Sequence, residues 1–566
     1  MDIRFCGASR GVTGSCHYIT SKNHQVLLDC GQYQGGKTEE ALNFGDFCFD
    51  PKEIECVILS HPHIDHCGRI PLLVKRGFKG PIYCTDATAD LLDVMLKDSA
   101  YIHEREAEWK NEKLKRAGKT ELLKPLYTID DALDSLLMVK PVLYDELVEI
   151  NEDMKIVFNE AGHILGSAIV ELWVDDREPK GENILKLVYT GDLGAKDRPI
   201  LRDPKYIKKA DYLIMEATYG NRLHPENATS VDELLSIVLK TVKRGGNVII
   251  PSFAVGRTQE LIYQFNRFYE DHPEARKALD DVMVYVDSPM AKTATEVFRR
   301  NVQVFDEETR AYILRGDNPL DFKNLKFTRS VEESRFLNTD TAPKVIISAS
   351  GMCEAGRIRH HLKHNIWKGK NSIVFVGYQA EGTLGRKILD GAKEITLFGD
   401  KIYVNAEIYD LEGFSGHADR DGLLDWLSGF VKEPKKIFLV HGEMQAKIDF
   451  AEYVKEKLGY TCKVVKTDSI YHLDSDEFQT VEETWEDMVD KEGFEEIKDR
   501  VDKVLEALED AALEPNLKIG KEFDHQRVAD IKNLLLALEK DAINLRSLVG
   551  EKHDNTMELP QETEKI

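Results

Sequence analysis

The 566-residue chain has no CxxC pair among its nine cysteines, no run of about 18 uninterrupted apolar residues and no excess of basic charge. The scattered, odd-numbered cysteines (Cys6, Cys16, Cys30, Cys48, Cys56, Cys67, Cys84, Cys353, Cys462) argue against a zinc ribbon or a disulfide framework; free buried thiols in a reducing cytoplasm are expected. The start, Met1-Asp2-Ile3-Arg4-Phe5-Cys6, has no basic segment followed by an apolar one, so neither secretion nor a membrane is expected. Solenoid-length repeats and low-complexity linkers are missing too. The formal charge of −24 excludes a passive coat on nucleic acid, which works through a basic surface that releases phosphate counterions. Roughly half of that charge falls after Gln479, so a local basic cleft elsewhere stays compatible with it.

At 42% hydrophobic, the chain has apolar material for two or three packed units. From Met1 to about Pro204, short apolar strands alternate with glycine turns: Ile3 to Cys6, Cys16 to Thr20, Gln25 to Asp29, Cys56 to Ser60, Lys155 to Asn159 and Leu185 to Thr190. This pattern predicts a β-sandwich with flanking helices, and the charged, proline-free stretch Ser99 to Gly118 predicts an exposed helix inserted in it. From about Asn221 the style changes to repeated strand, loop and helix units, beginning at Gly246, Val282, Lys344 and Ser372, which build a parallel sheet with helices on its faces. The strand-loop-helix segment Lys436 to Lys457 is expected to return to the first domain. After Gln479 the chain is rich in Glu, Asp, Leu and Ala with heptad-like spacing, predicting helices broken near Pro515 and a disordered acidic tail from about Glu551.

The densest chemistry is Ser60-His61-Pro62-His63-Ile64-Asp65-His66, between an apolar strand and the helix-like Cys67 to Lys75. In a loop at a strand end, His61 and His63 can face one metal while Asp65 and His66 face a neighbour, an imidazole and carboxylate set that suits zinc. Further ligands are offered by His163 in Ala161-Gly162-His163-Ile164-Leu165-Gly166-Ser167, Asp192 in Thr190-Gly191-Asp192-Leu193 and His441 in Val440-His441-Gly442. Each alone is ordinary turn chemistry; their order after the cluster makes them candidates.

These residues, in this order, resemble the metal motifs of metallo-β-lactamase hydrolases. The resemblance implies two zinc ions: His61, His63 and His163 on one, Asp65, His66 and His441 on the other, Asp192 bridging. Asp29 in Leu27-Leu28-Asp29-Cys30-Gly31 matches the family's supporting aspartate, which orients the histidine loop. Glu216-Ala217-Thr218-Tyr219, Ser252-Phe253-Ala254-Val255-Gly256-Arg257, Asp287-Ser288-Pro289-Met290-Ala291, Ser350-Gly351-Met352 and Phe414-Ser415-Gly416-His417-Ala418-Asp419 resemble the β-CASP branch, over roughly Met1 to Tyr471. That branch includes the nuclease subunit of the cleavage and polyadenylation specificity factor and its bacterial and archaeal relatives. Glu216, His417 and His441 then match its motifs A, B and C, and a histidine at the last resembles the RNA-cutting members.

The resemblance therefore implies an α/β fold, a metallo-β-lactamase αββα sandwich (1–220 and 413–475) with an inserted β-CASP domain (221–412), followed by a helical C-terminal extension (480–566). It also implies a zinc-dependent ribonuclease that hydrolyses single-stranded RNA endonucleolytically through a hydroxide bridging the metals. A metal pair about 3.5 to 4 Å apart can bind the phosphate oxygens of an in-line displacement. A histidine beside a carboxylate, His417 beside Glu216, can protonate the leaving alkoxide. Arg257 as a phosphate fork and the loop Ser350, Gly351 and Met352 are the expected substrate contacts. The run Arg359-His360-His361-Leu362-Lys363-His364 looks like a metal site, but helical spacing scatters it around an axis, so a basic helix face is expected. Two departures from the family pattern, Pro62 inside the cluster and Ala217 where serine is common, remove no ligand. The archaeal relatives' KH extension has no counterpart before Met1, so substrate selection is expected from the cleft, the acidic tail or a partner. The extension is the expected place for a homodimer or protein contact. A 5′-to-3′ exoribonuclease resembling ribonuclease J and a non-catalytic RNA-processing scaffold are the competing expectations; a small-molecule hydrolase needs neither the insertion nor the Glu216 and His417 pair.

Overall fold

Short alternating segments such as Asp2–Phe5 and His17–Thr20 bury every second side chain, the period of a strand with one face on a core. They belong to an eight-stranded sheet whose order runs Glu477–Thr480, Ser469–His472, Asp2–Phe5, His17–Thr20, Gln25–Leu28, Cys56–Ile58, Ile82–Thr85, Val139–Val142. A seven-stranded sheet packs on it, with Lys436–Val440, Tyr212–Glu216 and Leu185–Tyr189 as parallel neighbours near one side. The computed structural model describes residues 1–480 apart from 23, 36, 117, 121, 176–180, 182–183, 225–226, 272–275, 278, 380–381 and 467. The acidic helical extension expected from 480 onward lies outside the described residues, except that Thr480 closes an unexpected last strand, Glu477–Thr480.

The two sheets enclose a core that includes Phe5, Ile19, Leu28, Phe158, Leu172, Phe438 and Tyr471. Helices cover both outer faces, giving an αββα sandwich; Leu73, Leu92 and Leu96 pack outside one sheet and Trp426, Leu427 and Phe450 outside the other. As expected, Lys436–Val440 returns to this sandwich, pairing with Tyr212–Glu216 in parallel register. Between them, a six-stranded sheet of order Leu325–Phe327, Met283–Val286, Lys344–Ser348, Val248–Pro251, Ser372–Phe375, Glu407–Asp410 is parallel throughout. Its central strands are buried along their whole length because helices lie on both faces.

Three local expectations need correction. The helix predicted from Ser99 starts earlier, at Asp86, and runs to Arg116; its first half buries Leu91, Leu92 and Leu96, while the part from Tyr101 onward is largely exposed, as expected. The helix predicted over Cys67 to Lys75 is two short helices, Ile64–Cys67 and Ile70–Lys75. A Cβ on Gly68 would sit 2.5 Å from the Ile64 carbonyl oxygen, and Pro71 suits the first turn of a new helix. Finally, not every cysteine is free: Cys6 and Cys48 form a disulfide, brought together where Arg4 donates to the Cys48 carbonyl, while the other seven remain thiols.

Candidate active site

Parallel strands deliver their carboxyl ends to one side of a sheet, and loops there gather the candidate ligands. Cys56–Ile58 leads into His61, His63, Asp65 and His66, Leu185–Tyr189 leads to Asp192, Tyr212–Glu216 ends on Glu216, and Lys436–Val440 leads to His441. His163 sits in the connection between Met154–Glu160 and Ala168–Val174, where its N–H donates to the Ser167 hydroxyl at 3.0 Å.

Among the described residues, candidate ligand atoms converge in three groups that share members: His61, His63, His163 and Asp192; Asp65, His66 and His441; and Asp192, Glu216 and His441. His63 Nδ1 lies 3.2 Å from both His61 Nε2 and His163 Nε2, and His66 Nε2 lies 3.1 Å from His441 Nε2. Asp192 stands between the groups: Oδ2 is 3.5 Å from His61 Nε2, Oδ1 3.4 Å from His66 Nε2. All are buried or nearly so. Asp192 Oδ1 makes no hydrogen bond although it is buried, and a buried acceptor without a donor is costly. Imidazole nitrogens packed face to face around that oxygen fit cations as the missing partners.

The electrostatics agree with that fit. Burial pushes the His61 imidazole well below its ordinary pKa and takes His63 down to about 4 against the opposing pull of Asp65 and Asp192, so both offer neutral nitrogens to a metal. Burial opposes the charge on Asp192, but His441, His66 and His61 hold its carboxyl well below the usual range. Asp29, fully buried, accepts from His66 Nδ1, Ser60 Oγ and Tyr189 Oη at 2.7 Å each, and from the Ser60 N–H at 2.7 Å. That fixes which His66 nitrogen faces the cluster. Sequence inspection missed Ser60 and Tyr189 in this role. It also missed Thr218, whose hydroxyl is 3.1 Å from both Nδ1 and the carbonyl of His441, and the buried His17, lowered to about 3 by burial with His66 and His441 nearby.

His417 Nδ1 is 3.2 Å from Glu216 Oε1, and the same oxygen accepts from the Leu193 N–H at 2.6 Å. Burial works against the His417 cation, yet Glu216 and Asp192 raise its pKa to about 9. A bridge between Gly194 and His417 and the Ala418 N–H on the Leu193 carbonyl pin the segment beside the ligands.

The expected substrate contacts are placed unequally. Ser350, Gly351 and Met352 form a loop after strand Lys344–Ser348, with Gln379 donating to the Gly351 carbonyl at 3.1 Å and the Phe253 ring against Gly351. Arg257, by contrast, is buried and ion-paired with Glu260, which also holds Arg198 at 2.6 Å. Its guanidinium therefore does not stand out as an open phosphate fork. Within the histidine run, His361 is buried with Nε2 2.5 Å from Asp287 Oδ2, and His360 stacks on Phe398 at 4.5 Å. The side chains scatter as helical spacing demands, but one of them serves the interior rather than a basic face.

A sandwich whose strand-end loops gather six imidazoles and three carboxylates is the architecture of a metal-dependent hydrolase. Three family models match: the metallo-beta-lactamase superfamily over residues 9–146, the Beta-Casp domain over 258–388 and the Zn-dependent metallo-hydrolase RNA specificity domain over 401–465. A ribonuclease of Thermus thermophilus is 38% identical over 437 residues, covering 77% of this chain and 92% of its own length. Transcription termination factor FttA of Methanocaldococcus jannaschii is 35% identical, covering 80% of this chain and 68% of its own. An RNase J-like protein of the same organism is 33% identical, covering 79% and 94%. The chain belongs to the β-CASP ribonuclease family of the metallo-β-lactamase superfamily. No helix among the described residues is long and apolar enough to cross a membrane.

Proposed function

We propose that this protein is a two-zinc ribonuclease that hydrolyses phosphodiester bonds within single-stranded RNA. The observation that supports it most is the adjacency of two ligand groups, joined at Asp192, to the Glu216 and His417 pair. Zinc held by His61, His63 and His163, and by Asp65, His66 and His441, with Asp192 between, would supply water activation and stabilisation of phosphate charge at neutral pH.

The chain's own groups do the rest. Glu216, buried and anchored by the Leu193 N–H, accepts from His417 Nδ1 and favours the imidazolium. That leaves His417 Nε2 to hand a proton to the leaving oxygen, a contribution of roughly 10²–10⁴-fold for a positioned acid. The loop Ser350, Gly351 and Met352 meets the RNA backbone, while Arg257 acts behind it, held by Glu260. The endonucleolytic mode follows the resemblance to the cleavage and polyadenylation nuclease subunit.

The test is a circular single-stranded RNA given to zinc-loaded protein, with linear RNA and DNA controls and an Asp65→Ala/His66→Ala variant. Linearised circles, spared DNA and an inert variant are the expected result. Shortening of linear RNA alone would make the enzyme an exonuclease, and no cleavage at all would make it a scaffold.

A further inference from the structure

Helix Ile358–Asn365 and the hairpin of strands Glu394–Leu397 and Asp400–Tyr403 bury one side each in a shared cluster that includes Ile358, Leu362, Ile395 and Ile402. Their outward sides consequently form one surface. It exposes three large rings, Trp367 at 51%, Phe398 at 48% and Tyr403 at 65%. Trp367 and Tyr403 line a shallow cavity of ≈ 370 Å³ together with Lys363, Lys401, Asp400 and Asn405.

Charge gathers at the same place. Between Ala355 and Gly377 the sequence has five Lys and Arg, three His and no Asp or Glu, inside a chain of net charge −24. Arg357 turns inward to Asp287, but the Arg359 guanidinium lies 4.8 Å and Lys363 Nζ 5.7 Å from the Phe398 ring centre, and Lys368 Nζ is 5.4 Å from that of Trp367. Lys363 and Lys401 are pre-oriented by Asp400 and Glu394. Exposed rings interleaved with cations are the composition that holds single-stranded nucleic acid, since bases stack on the rings while cations meet the phosphates. In an otherwise acidic molecule such a surface also decides where a polyanion is drawn.

We infer that this surface is a second binding site for single-stranded RNA, apart from the catalytic cleft, in which bases stack on Trp367 and Tyr403 while Lys363, Lys401 and Arg359 meet the phosphates. The inference rests on the ribonuclease reading above. The helix runs away from the Ser350 loop for about 12 Å at 1.5 Å per residue, so only an RNA longer than the cleft reaches both.

The experiment uses the full chain carrying Asp65→Ala/His66→Ala, so that RNA is bound and not cut, with and without Trp367→Ala/Tyr403→Ala. Fluorescence anisotropy follows oligouridylates of about 30 and about 6 nucleotides, one long enough to reach a stacking platform beyond the cleft. At roughly 1–3 kcal/mol per stacked base, the ring substitutions weaken the longer RNA by about 10-fold or more and leave the shorter unchanged. Trp367→Phe/Tyr403→Phe restores most of the affinity, and cleavage of the short RNA by enzyme with an intact metal site is unaffected. Equal affinity for the long RNA in both proteins overturns the site, as does a change of oligomeric state on ring removal, which would make the surface an interface between copies. If the short RNA is cleaved while the long RNA loses nothing, only this inference falls; if RNA of neither length is bound or cleaved, the ribonuclease reading falls with it.

Discussion

Two groups, His417 and Lys447, separate roles that the motif alone does not. His417 lies beside the candidate ligands but in none of the three groups where they converge. His417→Ala is therefore expected to lower kcat on RNA by about 10²–10⁴-fold while zinc per chain, measured by elemental analysis, stays at the wild-type value; loss of zinc would make it a ligand. Lys447 is fully buried, with its ammonium on the carbonyls of Ser9 and Val465 and no carboxylate partner among these contacts. Burial lowers its pKa to about 8, below the ordinary ~10.4 of the unfolded chain. The folded state thus binds fewer protons between those values, so stability rises with pH across that window and the cost of charging the buried amine is fully present below pH 8. Relative to Lys447→Met, the wild-type Tm should climb between pH 8 and 10; a constant difference between the two would show that the amine titrates normally.

Among the elements, the turn after Gln25–Leu28 and the loop after Cys56–Ile58 approach so closely that a side chain cannot stand between them. A Cβ on Gly31 would lie 1.6 Å from the Asp65 carbonyl oxygen, which already accepts from the Ser15 N–H. Gly31→Ala should push the Asp65 and His66 loop outward, cost about 3 kcal/mol or more and reduce zinc per chain; denaturant unfolding with metal analysis checks both, and an unperturbed variant would mean the loop has slack. Backbone strain also occurs at strand ends that lead into the site, since Asp29 after Gln25–Leu28 and His441 after Lys436–Val440 adopt left-handed φ of 61° and 46° without being glycine. The His61 to His66 cluster, the downstream ligands and the parallel sheet of the insertion were all legible because each is a local pattern. The early start of helix Asp86–Arg116 was not, since its first turns are apolar on the side that packs against the sandwich and read like loop and strand in one dimension.

At the scale of the whole molecule, the candidate ligands come from segments as far apart as His61 and His441, so a metal held by them would tie the first and last parts of the sandwich together. Anything that binds only the folded state stabilises it, by about 4 kcal/mol at a thousandfold excess over Kd. Stripping metal with a chelator should lower Tm and abolish RNA cleavage, both restored by zinc, with a smaller Tm change in Asp65→Ala/His66→Ala. An unchanged Tm on chelation would mean that the cluster holds no metal.

Sequence by itself determined which side chains are the candidate ligands that the strand ends gather, since residue identity and order along the chain are one-dimensional properties and each candidate follows its own strand or glycine turn. It also determined that the insertion is a parallel sheet, because repeated strand, loop and helix units have few other ways to pack. Only the tertiary structure decided what supports those groups. Thr218 reaches His441, Tyr189 reaches Asp29 and Lys447 reaches Ser9 across separations of 223, 160 and 438 residues, and no local pattern encodes such contacts. For the same reason Arg198 is committed to Glu260, across 62 residues, and His361 to Asp287, across 74: whether a charged side chain faces solvent or the interior depends on what the rest of the chain places opposite it.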